Sequence, residues 1–94
     1  MPDSPRPIMR LLDLLGRRWT LRVLWELRGD PLTFRALRSA CGGVSPSVLN
    51  ARLAELREAA IVEPTDAGYA LTEQGRALGE LLLPLDDWAK QWAG

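Results

Sequence analysis

Within residues 33–58 the chain carries two short helical patterns with almost nothing between them, and no other stretch restricts its fold as strongly. Thr33 is a residue of N-cap type, and Phe34, Leu37 and Ala40 follow it on one helical face before Cys41, Gly42 and Gly43 break the pattern. Ser45 is again an N-cap residue. Pro46 suits the first helical position, where its missing N–H is not needed, and Leu49, Leu53 and Leu56 then recur at i, i+4 and i+7. Two short helices joined by a tight glycine turn are a helix-turn-helix, with the second helix running over 46–58.

The flanks fit that unit into one domain. Ile8, Leu11, Leu12, Leu14 and Leu15 predict a one-sided first helix that Gly16 ends in a left-handed conformation. Over 17–28, Trp19, Leu21, Val23, Leu24, Trp25 and Leu27 surround a second helix almost completely, which places it at the centre of the core until Gly29, Asp30 and Pro31 stop it. "IVEPTDAGYALT" predicts strands over 61–63 and 69–71 around a turn at 65–68, with Pro64 marking the end of the first strand. Thr72 caps a last helix, striped by Leu78, Leu81, Leu82, Leu85, Trp88, Ala89 and Trp92 and bent at Pro84. A helix-turn-helix followed by a β-hairpin is a winged helix. The expected fold is therefore mainly α with a small β-hairpin wing, a single domain over 1–94 in which 1–7 form a flexible arm and 72–94 a C-terminal dimerisation helix.

Composition narrows the chemistry. A chain of 94 residues buries roughly 60 to 65% of its unfolded surface, enough for one modest core. Hydrophobic residues at 47% and charged ones at 26% are ordinary for a soluble protein, and no apolar run approaches a membrane span. The start "MPDSPRP" lacks the apolar region of a signal peptide, so the expected location is cytoplasmic. One cysteine, Cys41, excludes an internal disulfide, and with no histidine there is neither a usual zinc site nor the commonest general base. Asp86 and Asp87 are adjacent on a helix and diverge by about 100°, so they do not converge on one substrate. No enzyme, metal or cofactor is expected. The zero net charge hides an asymmetry: residues 1–57 carry ten arginines against five acids (+5), and residues 58–94 carry Arg76 and Lys90 against seven acids (−5). A split of this kind gives a basic face for an anionic partner and an acidic remainder turned away from it.

These blocks resemble a known family, the HxlR-type winged-helix transcriptional regulators, a branch related to the MarR regulators. "LLDLLGRRWTLRVLWEL" resembles the stretch leading through a glycine and a tryptophan into the central helix, "PLTFRAL" the third helix, "VSPSVLNARLAEL" the recognition helix and "YALTEQGRAL" the exit from the wing; Trp19 and Arg52 fall where the family has them. The resemblance implies a homodimer, with first and last helices packed across a two-fold axis and recognition helices presented to successive major grooves of a palindromic operator in double-stranded DNA. The sequence also departs from the family. Arg6 stands where a redox-sensitive cysteine usually precedes proline, Thr33 replaces an arginine before the helix-three phenylalanine, and Ser47 replaces an early basic residue of the recognition helix. The wing tip, Thr65, Asp66, Ala67 and Gly68, is short and acidic where the family's is longer and basic.

The candidate DNA-binding set is Ser45, Ser47, Val48, Asn50, Ala51 and Arg52 on the second helix of the motif, with Arg35 and Arg38 on the first. Asn can pair bidentately with adenine, Ser bonds promiscuously, and Val48 or Ala51 can touch a thymine methyl. Among Arg17, Arg18, Arg35, Arg38, Arg52 and Arg57, Arg35 and Arg38 are the expected phosphate clamps; Arg52, beside the apolar stripe, has an intramolecular ion pair as its alternative. Arg22 and Glu26 read as a plain i, i+4 surface pair. The expected dimer face is Leu81, Leu82, Leu85, Trp88 and Trp92. Four tryptophans admit a planar aromatic effector, although core and dimer packing account for them more simply. Cys41 reads as a small structural residue. The leading reading is a dimeric repressor that occupies a promoter. Its rivals are an interaction module with eroded DNA contacts and a tryptophan-lined small-molecule sensor.

Overall fold

The computed structural model describes residues 6–94. Its elements run α1 (Pro7–Leu15), α2 (Thr20–Glu26), α3 (Phe34–Ala40), α4 (Pro46–Glu58), β1 (Val62–Thr65), β2 (Gly68–Leu71), α5 (Glu73–Glu80) and α6 (Leu82–Ala93). This is a winged helix, mainly helical with one antiparallel hairpin. Residues 1–5 of the expected arm lie outside the described residues, and Pro7, counted with that arm, instead opens α1.

The core forms where the apolar stripes meet. Val23 and Leu24 from α2 and Leu27 just after it, Leu37 from α3 and Leu49, Leu53 and Leu56 from α4 are all buried, and Cys41, Val44, Ile61, Val62 and Leu71 close the cluster. Each such leucine or valine contributes about 1.5 to 3 kcal/mol. Thr33, Ser45 and Thr72 cap α3, α4 and α5 by accepting from the amides of Ala36, Val48 and Gly75. All three caps fall where the sequence puts them.

Five expectations are corrected. Gly16 does not adopt a left-handed conformation; at φ −75 and ψ −9 it completes the last turn of α1, donating to the Leu12 carbonyl at 2.8 Å. The left-handed residue is Trp19, φ 79, so the chain reverses there and α2 begins only at Thr20. That conformation costs roughly 1 to 2 kcal/mol for a residue with a Cβ. It is held between the Thr20 amide donating to Arg17 and the Trp19 carbonyl accepting from Val23. Nor is α2 buried all round, because Leu21 is exposed and Trp25 half-buried.

Pro64 does not end the first strand but sits inside it, opposite Tyr69. β1 is an edge strand, where a missing donor is tolerated. β2 is the inner strand: Tyr69 exchanges both backbone hydrogen bonds with Leu32, 2.9 and 2.7 Å, so the wing is tied to the entrance of α3. The segment over 72–94 is two helices rather than one bent helix, with the break at Leu81. Pro84 causes it, since it has no N–H to give the Glu80 carbonyl four residues earlier and its ring clashes there. In α6 the proline lies within the first turn, where no donor is required.

Candidate nucleic-acid interface

α4 presents its DNA-facing candidates because its leucine stripe is fully engaged below. With Leu49, Leu53 and Leu56 buried, Ser47, Asn50, Ala54, Arg57 and Glu58 are exposed, while Val48 and Ala51 are half-buried at the flanks. Ser45 is spent on its cap, receiving the Val48 amide at 3.2 Å, and its hydroxyl lies 3.5 Å from that of Ser47. The N-terminal half of α4 thus offers a small, polar, uncharged surface that can approach a base edge closely.

The arginines divide into two groups that composition cannot separate. Arg35 and Arg57 are exposed and, among the described residues, pair with no acid and no carbonyl. Of the other expected phosphate contacts, Arg17, Arg38 and Arg52 are occupied. Arg38 Nε donates to the Val44 carbonyl at 2.9 Å, reaching across the turn from α3 to α4. The Arg52 side chain is only 16% exposed; its Nε lies 3.1 Å from Glu55 Oε1, its Nη2 donates to Oε2 at 3.2 Å, and its Nη1 donates to the Arg18 carbonyl at 3.4 Å. Arg17 adds a looser approach to the same Glu55, 3.7 Å away. For Arg52 the intramolecular ion pair is what forms. The cause is position: one turn from Leu49 and Leu56, its stem lies against the core and brings the guanidinium to Glu55 at i+3.

Arg22 does more than its spacing implies. It pairs with Glu26 at 2.8 Å and also donates Nη2 to the Ala40 carbonyl, 2.9 Å away, at the C-terminal end of α3. Nothing in the sequence marks this contact, which spans 18 positions. Cys41 is buried, and burial pushes its thiol pKa up; nearby Arg22 opposes the shift and Glu26 adds to it. It is a packed side chain, as its sequence setting implies.

At the wing, Thr65 Oγ1 donates to the Gly68 carbonyl (2.7 Å) and receives the Ala67 amide (3.2 Å), a tight tip that leaves Glu63 and Asp66 exposed. The tryptophans do not assemble a pocket. Trp25 has the Arg28 guanidinium 3.8 Å from its ring centre and walls a groove of about 350 Å³ with Leu21, Leu82, Leu85 and Ala89. Trp19 lies on a separate depression beside Arg17 and Arg18. Trp88 and Trp92 stack on each other, centroids 5.9 Å apart, and are 59% and 75% exposed. Leu81 and Leu85 are exposed on the same helical segment, and Ile8 and Leu12 are exposed on α1, a face that the sequence left unassigned to individual residues. Among the described residues no cluster of side chains could hold a metal, and no helix is long and apolar enough to cross a membrane.

Known proteins with this arrangement are helix-turn-helix regulators. The family model for the HxlR-like helix-turn-helix matches residues 14–94. The HTH-type transcriptional regulator YodB of Bacillus subtilis is 33% identical over 87 residues, covering 85% of this chain and 78% of its own. The crystal structure of quinone-bound YodB superposes with a TM-score of 0.81 at 32% identity, over 89% of this chain and 96% of that one. A structure from Thermoplasma volcanium, described as a possible HxlR family transcriptional factor, gives 0.82 at 28% identity, over 95% and 86%.

Proposed function

The chain belongs to the HxlR-like helix-turn-helix family and is a transcriptional regulator of that type, and from that premise we propose that it is a cytoplasmic homodimeric repressor that reads a palindromic operator through α4. The observation that carries this reading is the exposed, small, polar surface at Ser47 and Asn50, set on a helix whose other face is locked into the core. Val48 and Ala51 flank it for apolar contact with thymine methyls. Arg35 supplies a phosphate contact from α3 and Arg57 adds a cation at the far end of α4, while Arg38, expected as a second clamp, is committed to the Val44 carbonyl and acts through the turn. Arg52 acts from within, and Ser45 acts through its cap.

Dimerisation on the exposed faces of α6 and α1 would bring two α4 helices to grooves about one helical turn apart. The stacked Trp88 and Trp92 support that surface, since exposed aromatic pairs of this size are rare outside contacts. YodB has been crystallised with a quinone bound, which favours a small aromatic effector here as well; the groove walled by Trp25 is the surface of matching chemistry. The test is to separate affinity from discrimination. Arg35→Ala should weaken operator and random duplex alike and flatten the salt slope, whereas Asn50→Ala should cost roughly 1 to 3 kcal/mol on the operator only. Equal losses on both duplexes for Asn50→Ala would refute base reading by α4.

A further inference from the structure

At its two glycines the turn that aims α4 is not held by sterics. Gly42 and Gly43 have φ values of 74 and 119, and a Cβ added at either would meet nothing within 4 Å. Two consecutive positive-φ glycines in open space leave the backbone many alternatives. α3 is itself only seven residues long, too short to be stable alone, so it cannot impose the geometry from its own side.

Two guanidiniums do span this segment. Arg22, on α2, donates to the Ala40 carbonyl just before the glycines, and Arg38, on α3, donates to the Val44 carbonyl just after them, each at 2.9 Å. Glu26 fixes the Arg22 fork at 2.8 Å. The Ala40 carbonyl belongs to the end of a helix, where it has no intrahelical partner and carries the negative end of the helix dipole, so a cation is favoured there. Among the described residues no other side chain makes a hydrogen bond to the backbone of residues 40–44.

We propose that Arg22 and Arg38 are positioning residues for operator recognition: through the carbonyls on either side of Gly42-Gly43 they set the angle between α3, which carries Arg35, and α4, which carries Ser47 and Asn50. The phosphate contact and the base contacts then share one register. This rests on the reading that α4 engages DNA. A lysine keeps the positive charge, but at position 22 it lacks the fork that serves Ala40 and Glu26 together, and at position 38 it lacks the Nε–H near the stem that bonds Val44.

The experiment uses the full chain and a duplex selected by the wild-type protein from a random pool, with a scrambled duplex beside it. Arg38→Lys and Arg22→Lys are measured on both by fluorescence anisotropy, with thermal unfolding and amide NMR shifts recorded for each. The expected result is a fall of about tenfold or more in the operator-to-scrambled affinity ratio, with scrambled binding within about twofold of wild type, and shifts concentrated at Gly42, Gly43 and Val44 in a chain that still unfolds cooperatively. An unchanged ratio in both folded variants overturns the proposal, because Arg38 would then be a phosphate contact and the buried Cys41 and Val44 side chains would suffice to hold the turn. If one lysine variant fails to fold, the other decides. A wild-type protein that enriches no sequence fails the DNA reading itself, a separate outcome from the loss of positioning.

Discussion

Replacing Gly68 with alanine tests whether the wing is bound to the helix-turn-helix or merely attached to it. Gly68 has φ 125, a region that L side chains rarely adopt, and an added Cβ would lie 2.5 Å from the carbonyl carbon and oxygen of Leu32 and 2.6 Å from the Thr33 nitrogen. All three are backbone atoms that cannot rotate aside, so the hairpin must move away from the α3 entrance. Doing so breaks the two hydrogen bonds between Tyr69 and Leu32. Conformational strain of about 1 to 3 kcal/mol and two hydrogen bonds at about 0.5 to 1.5 kcal/mol each together give a loss of roughly 2 to 6 kcal/mol. That is a large share of the roughly 5 to 14 kcal/mol expected for a chain of this length. Urea unfolding followed by tryptophan fluorescence measures it, with Gly29→Ala as control, since Gly29 has open space and no positive φ. A Gly68→Ala variant within about 0.5 kcal/mol of that control would refute the argument, because surface changes of that size are ordinary.

Other expected outcomes follow from exposed faces and buried groups. Sedimentation at tens of micromolar should show a dimer that the double substitution Trp88→Ala with Trp92→Ala weakens by at least about tenfold, as central aromatic anchors dominate interface energies; a wild-type monomer would contradict the α6 surface as an interface. Asp66→Lys should strengthen binding to every duplex and steepen the salt slope by about one unit per new phosphate contact, and no change would mean that the wing tip never nears DNA. The Cys41 thiol should resist an aromatic disulfide reagent until the chain unfolds. Because its folded pKa is raised, the unfolded state loses the proton first, so stability should fall as pH rises above the ordinary thiol range near 8.5; rapid labelling of the native protein would refute its burial.

What was legible in the sequence depended on local chemistry. The caps at Thr33, Ser45 and Thr72, the glycine break and the leucine stripe of α4 each act within a few residues, and each stands where the pattern places it. Features set by distant partners were not legible. The antiparallel tie of Tyr69 to Leu32 and the reach of Arg22 to Ala40 depend on how elements meet in space, which periodicity does not encode; the left-handed turn at Trp19 is local, but it falls on a bulky residue type that rarely adopts that conformation. Pro84 shows the boundary: its effect was readable, its strength was not, and a bend became a break at Leu81. For the interface, sequence identifies which side chains are basic, but only packing shows that Arg52 and Arg38 have committed nitrogens to the protein's own acid and carbonyl groups while Arg35 has not.

The most direct test of the account is selection of a random duplex pool by the wild-type chain at low salt, followed by anisotropy on the enriched sequence and its scramble. The expected product is an inverted repeat with half-sites about 10 base pairs apart, bound at least roughly 10³-fold more tightly than the scramble. No enrichment, with every duplex bound more weakly than about 10⁻⁴ M, the floor for non-specific association, would contradict it.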